Sequence, residues 1–453
     1  MRPSSVFNDI IVSIAERSRG LVDLARLRST PGGVDGLVEL CRRLADTTGE
    51  VSIIALAQEV HTRFAALDPA DHKVFFRALL EDFGVVQDSV RAAVDAYLAD
   101  PDEERALALH QTAEPRRQEL LRRMNLSPGG TRALVSMRTA LLAAMAEDRD
   151  LALVDRDFVH LFAAWFNRGF LELQRMDWHT PAAILDKIIV YEAVHEISDW
   201  DDLRRRIDPP DRRLYAFFHP RLADDPLIFV EVALTADTPD NIEAILSADR
   251  EPADPKNAST AVFYSISNCQ QGLRGISFGN FLIKQVVEDL RRELPGLKTF
   301  VTLSPLPQFA GWLRSLVEED SPLLAAATRE ALPLLDNPHW WQDPDAAAQL
   351  AAALMPLASW HLLRARNAGD MPVDPVARFH LGNGARLERL NWLADTSENG
   401  LKTSHGIMVN YLYKLEDIEK NHEAYANAGV ITASNSVKRL ARTLPAAEEI
   451  AAA

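Results

Sequence analysis

Cysteine is nearly absent from this chain: Cys41 and Cys269 are the two it has in 453 residues. That excludes a disulfide scaffold, and no paired Cys or His spacing points to a zinc site. Basic charge is short as well, with 49 lysines and arginines against 65 acidic residues and a formal net charge of −16. A nucleic-acid binder needs a concentrated basic face, and this balance argues against one. Long apolar runs are missing too. The least charged long stretch, Ala346 to Leu363, contains Gln349, Pro356 and His361. It reads as a buried helix rather than a membrane span. The opening residues "MRPSSVFNDIIVSIAERSRG" lack the apolar core of a signal peptide.

What remains is an ordinary globular composition, 47% hydrophobic and 25% charged, with length enough for about two to three domains. Residues 1–176 read as helix after helix. Val86, Val90, Ala93, Val94 and Tyr97 form one apolar stripe, and Leu134, Met137, Leu141, Ala144 and Met145 another. "SPGGTR", from Ser127 to Arg132, breaks two helices apart. "DRDFVHLFAAWFNRGFLELQRM" is expected to be the last, deeply buried helix of this bundle.

After Met176 the composition changes. "RLYAFFHP" and "PLIFVEVAL" are short β-type runs joined by "RLADD", an expected antiparallel hairpin. "AVFYSIS", Ala261 to Ser267, is a third strand, rich in β-branched and aromatic residues. The loop "NCQQGLRGISFGN" follows, with Gly272, Gly275 and Gly279 at its turning points. Ile283, Val286, Val287, Leu290 and Leu294 then recur at helical spacing before Pro295-Gly296, and "KTFVTLS" returns as a strand with Ser304 at its end. An Ala- and Leu-rich helical insert runs from about Phe309 to Asn367, and "HGIMVNYLY" is strand-like again. Residues 177–453 are thus predicted to be a mixed α/β domain, with helices over one central sheet.

The strand-loop-helix unit suits an anion. Amides of a first helical turn lack partners and carry the positive end of the helix dipole. Small residues let those amides approach a pyrophosphate, and Arg274 adds a positive charge. The glycine spacing matches neither G-x-G-x-x-G nor G-x-x-x-x-G-K-[ST]. A plain strand-to-helix connection is therefore an equal reading of the spacing alone. Likewise, a serine before proline is most often a turn or cap residue, and a lone histidine near a turn is most often structural.

The run Arg274-Gly275-Ile276-Ser277-Phe278-Gly279-Asn280 resembles the pyrophosphate loop of GNAT-type acyl-CoA-binding folds, with Ser277 where a glycine is usual. "FYSISNCQQGLRGISFGNFLIK", "LSPLPQFAGWL", "DPVARFHLGNGARLERLNWLAD" and "MVNYLYKLEDIEKN", in that order, resemble the malonyl-CoA decarboxylase family. The likeness is dense from about Trp178 to Ala433. It implies a helical N-terminal bundle, an oligomerisation domain, followed by a GNAT-like α/β catalytic domain with a helical insert. It implies a carboxy-lyase that converts malonyl-CoA to acetyl-CoA and carbon dioxide without metal or other cofactor.

The resemblance casts Ser304 of "LSP" as proton acceptor, His380 of "FHLGNGA" as proton donor, and Tyr413 of "NYLY" as an orienting residue. Substrate binding falls to Arg274, Gly275, Ile276, Ser277, Phe278, Gly279 and Asn280, together with Ser304 and His380. Some family members carry an acid where Ser277 stands, so one contact of the site differs here. Tyr413 is equally readable as a core tyrosine. His195, His219 and His405 fit cap, core or surface positions. The chemistry needs an enolate stabilised, a carboxylate stripped of water and a proton for C2, which an imidazole of ordinary pKa, about 6.5, can supply.

The resemblance further implies a homo-oligomer, dimer or tetramer. The chain ends Ala-Ala-Ala rather than in the peroxisomal tripeptide of some eukaryotic members, so a cytoplasmic enzyme is expected, with no membrane and no nucleic-acid partner. Two other functions share the motif set: an acyl-CoA-dependent N-acyltransferase, which would need an acceptor amine, and a non-catalytic interaction protein that senses acyl-CoA.

Overall fold

The computed structural model describes residues 32–222, 224–276, 278 and 282–444. It divides into two compact units. The first is the helical N-terminal part up to Glu172, joined by the segments Phe218–Leu227 and Gln270–Phe278. The second holds Leu173–Phe217, Ile228–Cys269 and the remainder from Gly279.

In the helical unit the amphipathic helices Gly33–Asp46, Glu50–Ala65 and Pro69–Asp82 bury Leu40, Leu44, Phe64, Phe75 and Phe76. Their rings meet at tilted angles, as in Phe64 against Phe75 at 5.3 Å. Arg117 and Asp157 form a buried ion pair, and Gln118 Nε2 donates to the second Asp157 oxygen at 2.6 Å. The stripe on Gln87–Ala99 behaves differently from expectation: this helix contains no buried residue, and Val86 at its cap is exposed.

A second correction concerns the last helix of the bundle. It spans Ala152–Trp165 and stops there, rather than continuing to Met176. Asn167 accepts the Gly169 N–H at 3.0 Å and turns the chain, and Glu172–Met176 emerges as an edge strand, β1. Six residues of mixed polarity carry no decisive period, and the Asn-Arg-Gly step decides for the turn.

The second unit is built on one sheet of order β1-β2-β3-β4-β5-β8-β6, with β7 on β8. Its strands are β2 (Arg212–Phe218), β3 (Ile228–Thr235), β4 (Thr260–Asn268), β5 (Thr299–Thr302), β6 (Ser304–Pro305), β7 (Arg386–Asn391) and β8 (Met408–Leu412). β2 and β3 form the expected antiparallel hairpin, and β4 runs parallel to β5. A parallel pair needs a crossover, and the helix Leu282–Glu293 supplies it, burying Ile283, Val286, Val287 and Leu290.

Two irregularities shape the sheet centre. On β4, Tyr264 is an extra residue: Glu231 faces Ser265 while Val232 faces Phe263. Beyond Phe263–Thr302, the pairing of β4 with β5 ends, and the Leu303 N–H bonds to the Phe263 carbonyl at 3.0 Å. The chain then passes to β8, where Ser304 pairs with Val409. Val262, Tyr264, Val301, Leu303 and Met408 pack together under this junction.

Among the described residues one helix, Pro344–Arg364, is long and apolar enough to cross a membrane by length and composition, with 56% of its apolar window buried in the protein. His361 sits in it with no exposed surface, against Trp312 at 4.7 Å.

Candidate active site

Ser304 is fixed by its ladder with Val409 on β8, in the short strand that follows the break at Leu303. His380 comes from the helix Pro375–Gly382. Asp374 caps that helix, accepting the N–H groups of Val376 and Ala377 at 2.9 Å each, and Pro375 occupies its first position. The helix ends on Asn383-Gly384. The Ala385 N–H returns to the His380 carbonyl at 3.0 Å, and Gly384 takes a positive φ of 81°. A Cβ at Gly384 would collide with the Ile418 carbonyl, so the turn needs glycine. Both ends of the short helix are therefore held.

Between these supports the imidazole meets two hydroxyls. His380 Nε2 lies 3.0 Å from Ser304 Oγ, and Nδ1 lies 2.8 Å from Tyr413 Oη. Tyr413 follows β8 directly, and its N–H donates to the Phe300 carbonyl of β5 at 2.8 Å. The structure thus brings together Ser304, His380 and Tyr413. All three are nearly inaccessible, with relative exposures of 5%, 2% and 1%.

Burial changes what the imidazole can be. It lowers the His380 pKa to about 3, so the ring is neutral near pH 7. This corrects the expectation of an ordinary histidine near 6.5: the site has taken away the water that would stabilise the cation. A neutral imidazole has one N–H and one acceptor nitrogen. Two proton arrangements satisfy both neighbours. Either Ser304 donates to Nε2 while Nδ1–H donates to Tyr413, or Nε2–H donates to Ser304 while Tyr413 donates to Nδ1. Burial also pushes the Tyr413 and Tyr411 hydroxyls well above the usual tyrosine range, so both stay protonated.

Several supporting residues have no counterpart in the motif reading. Tyr411 stacks on the His380 ring, and its own hydroxyl has no partner. Burial raises the Asp374 carboxyl to about 6, against the pull of its backbone donors. Asn410 is buried between strands: its Nδ2 donates to the Thr302 carbonyl at 2.7 Å, and its Oδ1 accepts from Arg389 Nε at 2.9 Å and Asn391 Nδ2 at 2.8 Å. The Tyr411 N–H donates to Thr302 Oγ1 at 3.1 Å. This network holds β8 beside β5 where regular pairing has ended. One signal was readable in sequence, the Asp374-Pro375 pair that opens helices.

The glycine loop belongs to the helical unit from Gln270 to Phe278. Arg138 clamps it, donating from Nη1 to the carbonyls of Gly272 and Arg274 at 2.8 and 2.9 Å, with its Nε on Asp155 at 2.7 Å. Gly272 lies so close to Val135 that a Cβ would strike its carbonyl. Arg274 and Gly275 are exposed, Gly275 with φ 80°, while Ile276 and Phe278 are buried. Ser277, Gly279 and Asn280 lie outside the described residues.

Of the other histidines named from sequence, His195 lines a separate cavity with its Nε2 buried and unpartnered, while His219 and His405 sit in structural places. His219 Nδ1 accepts the Arg221 N–H at 3.1 Å, and His405 ends a helix in the left-handed region. No group of three or more metal-type side chains occurs among the described residues.

Comparison with known proteins bears on most of the chain. Residues 169–451 match the family model "Malonyl-CoA decarboxylase C-terminal domain", and residues 83–166 the "Malonyl-CoA decarboxylase N-terminal domain". The chain belongs to the malonyl-CoA decarboxylase family. Its similarity to the mitochondrial malonyl-CoA decarboxylase of Anser anser anser is 39% identity over 351 residues, 71% of this chain and 69% of that protein.

Solved malonyl-CoA decarboxylases show the same architecture. The Rhodopseudomonas palustris structure has 56% identity and a TM-score of 0.88, covering 90% of this chain and all of that one. The Agrobacterium vitis structure has 55% identity and a TM-score of 0.85, covering 89% and 99%. The malonyl-CoA decarboxylase match includes every residue of the Ser304–His380–Tyr413 cluster within its C-terminal model.

Proposed function

We propose that this chain decarboxylates malonyl-CoA, giving acetyl-CoA and carbon dioxide, with Ser304 and His380 at the reacting end of the substrate. The observation that carries the reading is the 3.0 Å contact of Ser304 Oγ with a buried, neutral imidazole, in a chain whose relatives are named for this reaction.

The chemistry follows from the geometry. When the C2–carboxylate bond breaks, its electron pair moves into the thioester as an enolate, and carbon dioxide leaves. C2 then takes a proton. A buried imidazole of pKa about 3 has no spare proton in the free protein. The incoming substrate supplies the missing condition: a carboxylate beside Nε2 favours the imidazolium, so binding draws in one proton. As the negative charge leaves with the electron pair, that proton passes from Nε2 to C2, and the neutral ring is restored.

Ser304 hydrogen-bonds Nε2 and is left able to meet the departing carboxylate. In the family's division of roles it is the proton acceptor. Tyr413 holds Nδ1 and so fixes the ring's direction. Its raised pKa means that it orients rather than ionises. Burial of Ser304 and His380 also favours loss of the carboxylate, because the product carbon dioxide needs little hydration.

The exposed Arg274 turn, with Gly275 to Asn280, is assigned to the pyrophosphate of coenzyme A. No metal or organic cofactor enters the scheme. The enzyme is placed in the cytoplasm, as a homo-oligomer of dimer or tetramer type, acting on neither nucleic acid nor membrane.

Incubation of purified protein with carbon-13 malonyl-CoA as sole substrate, in chelator, tests this reading. Acetyl-CoA and labelled carbon dioxide in equal amounts are expected. Unchanged malonyl-CoA would refute it.

A further inference from the structure

Away from the Ser304 cluster, the second unit carries a cavity of about 660 Å³ lined by Trp360, Arg364, Arg366, Ile431, Lys438 and Arg442 among others. Among the described residues, four cations line it and no aspartate or glutamate does. This is unexpected in a chain with 65 acidic and 49 basic residues, where a carboxylate partner is statistically easy to find. No carboxylate among the described residues pairs with Arg364, Lys438 or Arg442. Arg366 is held against its own backbone, donating to the carbonyls of Ala365 and Leu363 at 3.0 Å each.

The obvious structural explanation is helix termini. Pro344–Arg364 and Asn435–Ala441 both end here, and each C-terminus attracts cations. That accounts for part of the charge only. Two helix ends together amount to roughly one negative charge, against four positive side chains. With Asp370 acting on Arg366, a net excess of about two charges is left on one concavity, where Arg364, Lys438 and Arg442 are exposed to an incoming anion. Burial is the main cause that lowers the Arg366 pKa; Asp370 and Tyr425 oppose it, and the like charge of Arg364 adds a smaller lowering.

Size and lining narrow the ligand. The volume falls within the range of small-molecule and cofactor sites. Guanidinium groups suit phosphate oxygens in pairs, and the lining adds an indole to the four cations. Trp360 is braced by Trp312, stacked at 5.8 Å with planes 18° apart.

We propose that this cavity binds a nucleotide-sized polyphosphate, with its phosphates on Arg364, Arg366, Lys438 and Arg442 and its base against Trp360. The site is separate in sequence from the residues assigned to catalysis and to the pyrophosphate loop.

The test is calorimetric titration of ADP into the full chain and into the variant Arg364→Gln/Lys438→Gln/Arg442→Gln, with adenosine as an uncharged control. Binding of ADP by the wild type, not of adenosine, is expected. The variant should bind ADP at least about tenfold more weakly, a change of about 1.4 kcal/mol. Its KM for malonyl-CoA should be unchanged, which shows that it is folded and that its acyl-CoA site is intact. ADP affinity equal in wild type and variant would place the nucleotide in the acyl-CoA site and overturn the proposal, as would no ADP binding at all.

Discussion

The imidazole of His380 lies on the phenol of Tyr411, centroids 4.5 Å apart and planes 26° apart. The stack fills the face of a ring whose edges are held by Ser304 and Tyr413. Removing either hydroxyl on β8 or just beyond it therefore has a different consequence. The Tyr411 hydroxyl is buried without a partner, so Tyr411→Phe should leave turnover and stability unchanged or slightly improved. Tyr411→Ala removes the ring itself and should cost about 3–5 kcal/mol of stability. Chemical denaturation of both variants measures the contrast.

Tyr413→Phe deletes the hydroxyl that meets Nδ1 of His380. A buried hydrogen-bonding atom left unpaired costs about 1–3 kcal/mol. Expressed in the rate, that is about fivefold to 160-fold in kcat. KM for malonyl-CoA should barely move, since the residue positions the ring rather than the substrate. Equal losses in kcat and KM would point instead to general disruption.

Asp374 offers a stability test with a defined sign. Its folded pKa is raised to about 6 from 3.8. The folded state thus keeps a proton that the unfolded chain releases near pH 4, so the contribution of this group falls as pH rises through 4 to 6 and stays unfavourable above. Asp374→Asn keeps an acceptor for the Val376 and Ala377 N–H groups but carries no charge. It should melt higher than wild type at pH 8. Asp374→Ala loses the cap and should melt lower, by about 1 kcal/mol.

Much of this architecture is legible in the sequence. The alternating and β-branched runs placed β2, β3 and β4, and ordered motifs brought Ser304, His380 and Tyr413 forward together. What was not legible depends on distant parts of the chain. The pKa of His380 follows from burial against β6 and β8, neither of which is written in "ARFHLGNGAR". Arg138 serves a loop more than a hundred residues away, and nothing near it in sequence signals that. Glu172–Met176 is not legible as a strand because a five-residue edge strand and a helix end present similar patterns.

Buried histidines predict acid lability. His380 and His361 have folded pKa values lowered to about 3 and about 4, burial being the cause in both. The unfolded chain binds their protons near 6.5 and the folded chain does not. Their contribution is complete above pH 6.5 and is lost as pH falls toward 4, by about 1.4 kcal/mol per pH unit for each group. Asp374 acts in the opposite direction over part of this range. Thermal melts from pH 7.5 to 4.5 should fall steeply. His361→Leu, which removes a ring with both nitrogens unpartnered, should flatten the fall. An unchanged slope would mean that His361 is protonated in the fold.

The most direct test of the catalytic account is single-turnover kinetics of Ser304→Ala and His380→Ala with malonyl-CoA, beside their equilibrium affinity for coenzyme A. The account predicts that both variants bind coenzyme A within about threefold of wild type while losing at least about a hundredfold in the chemical step, some 2.7 kcal/mol. Wild-type rates of carbon dioxide release in both variants would contradict it.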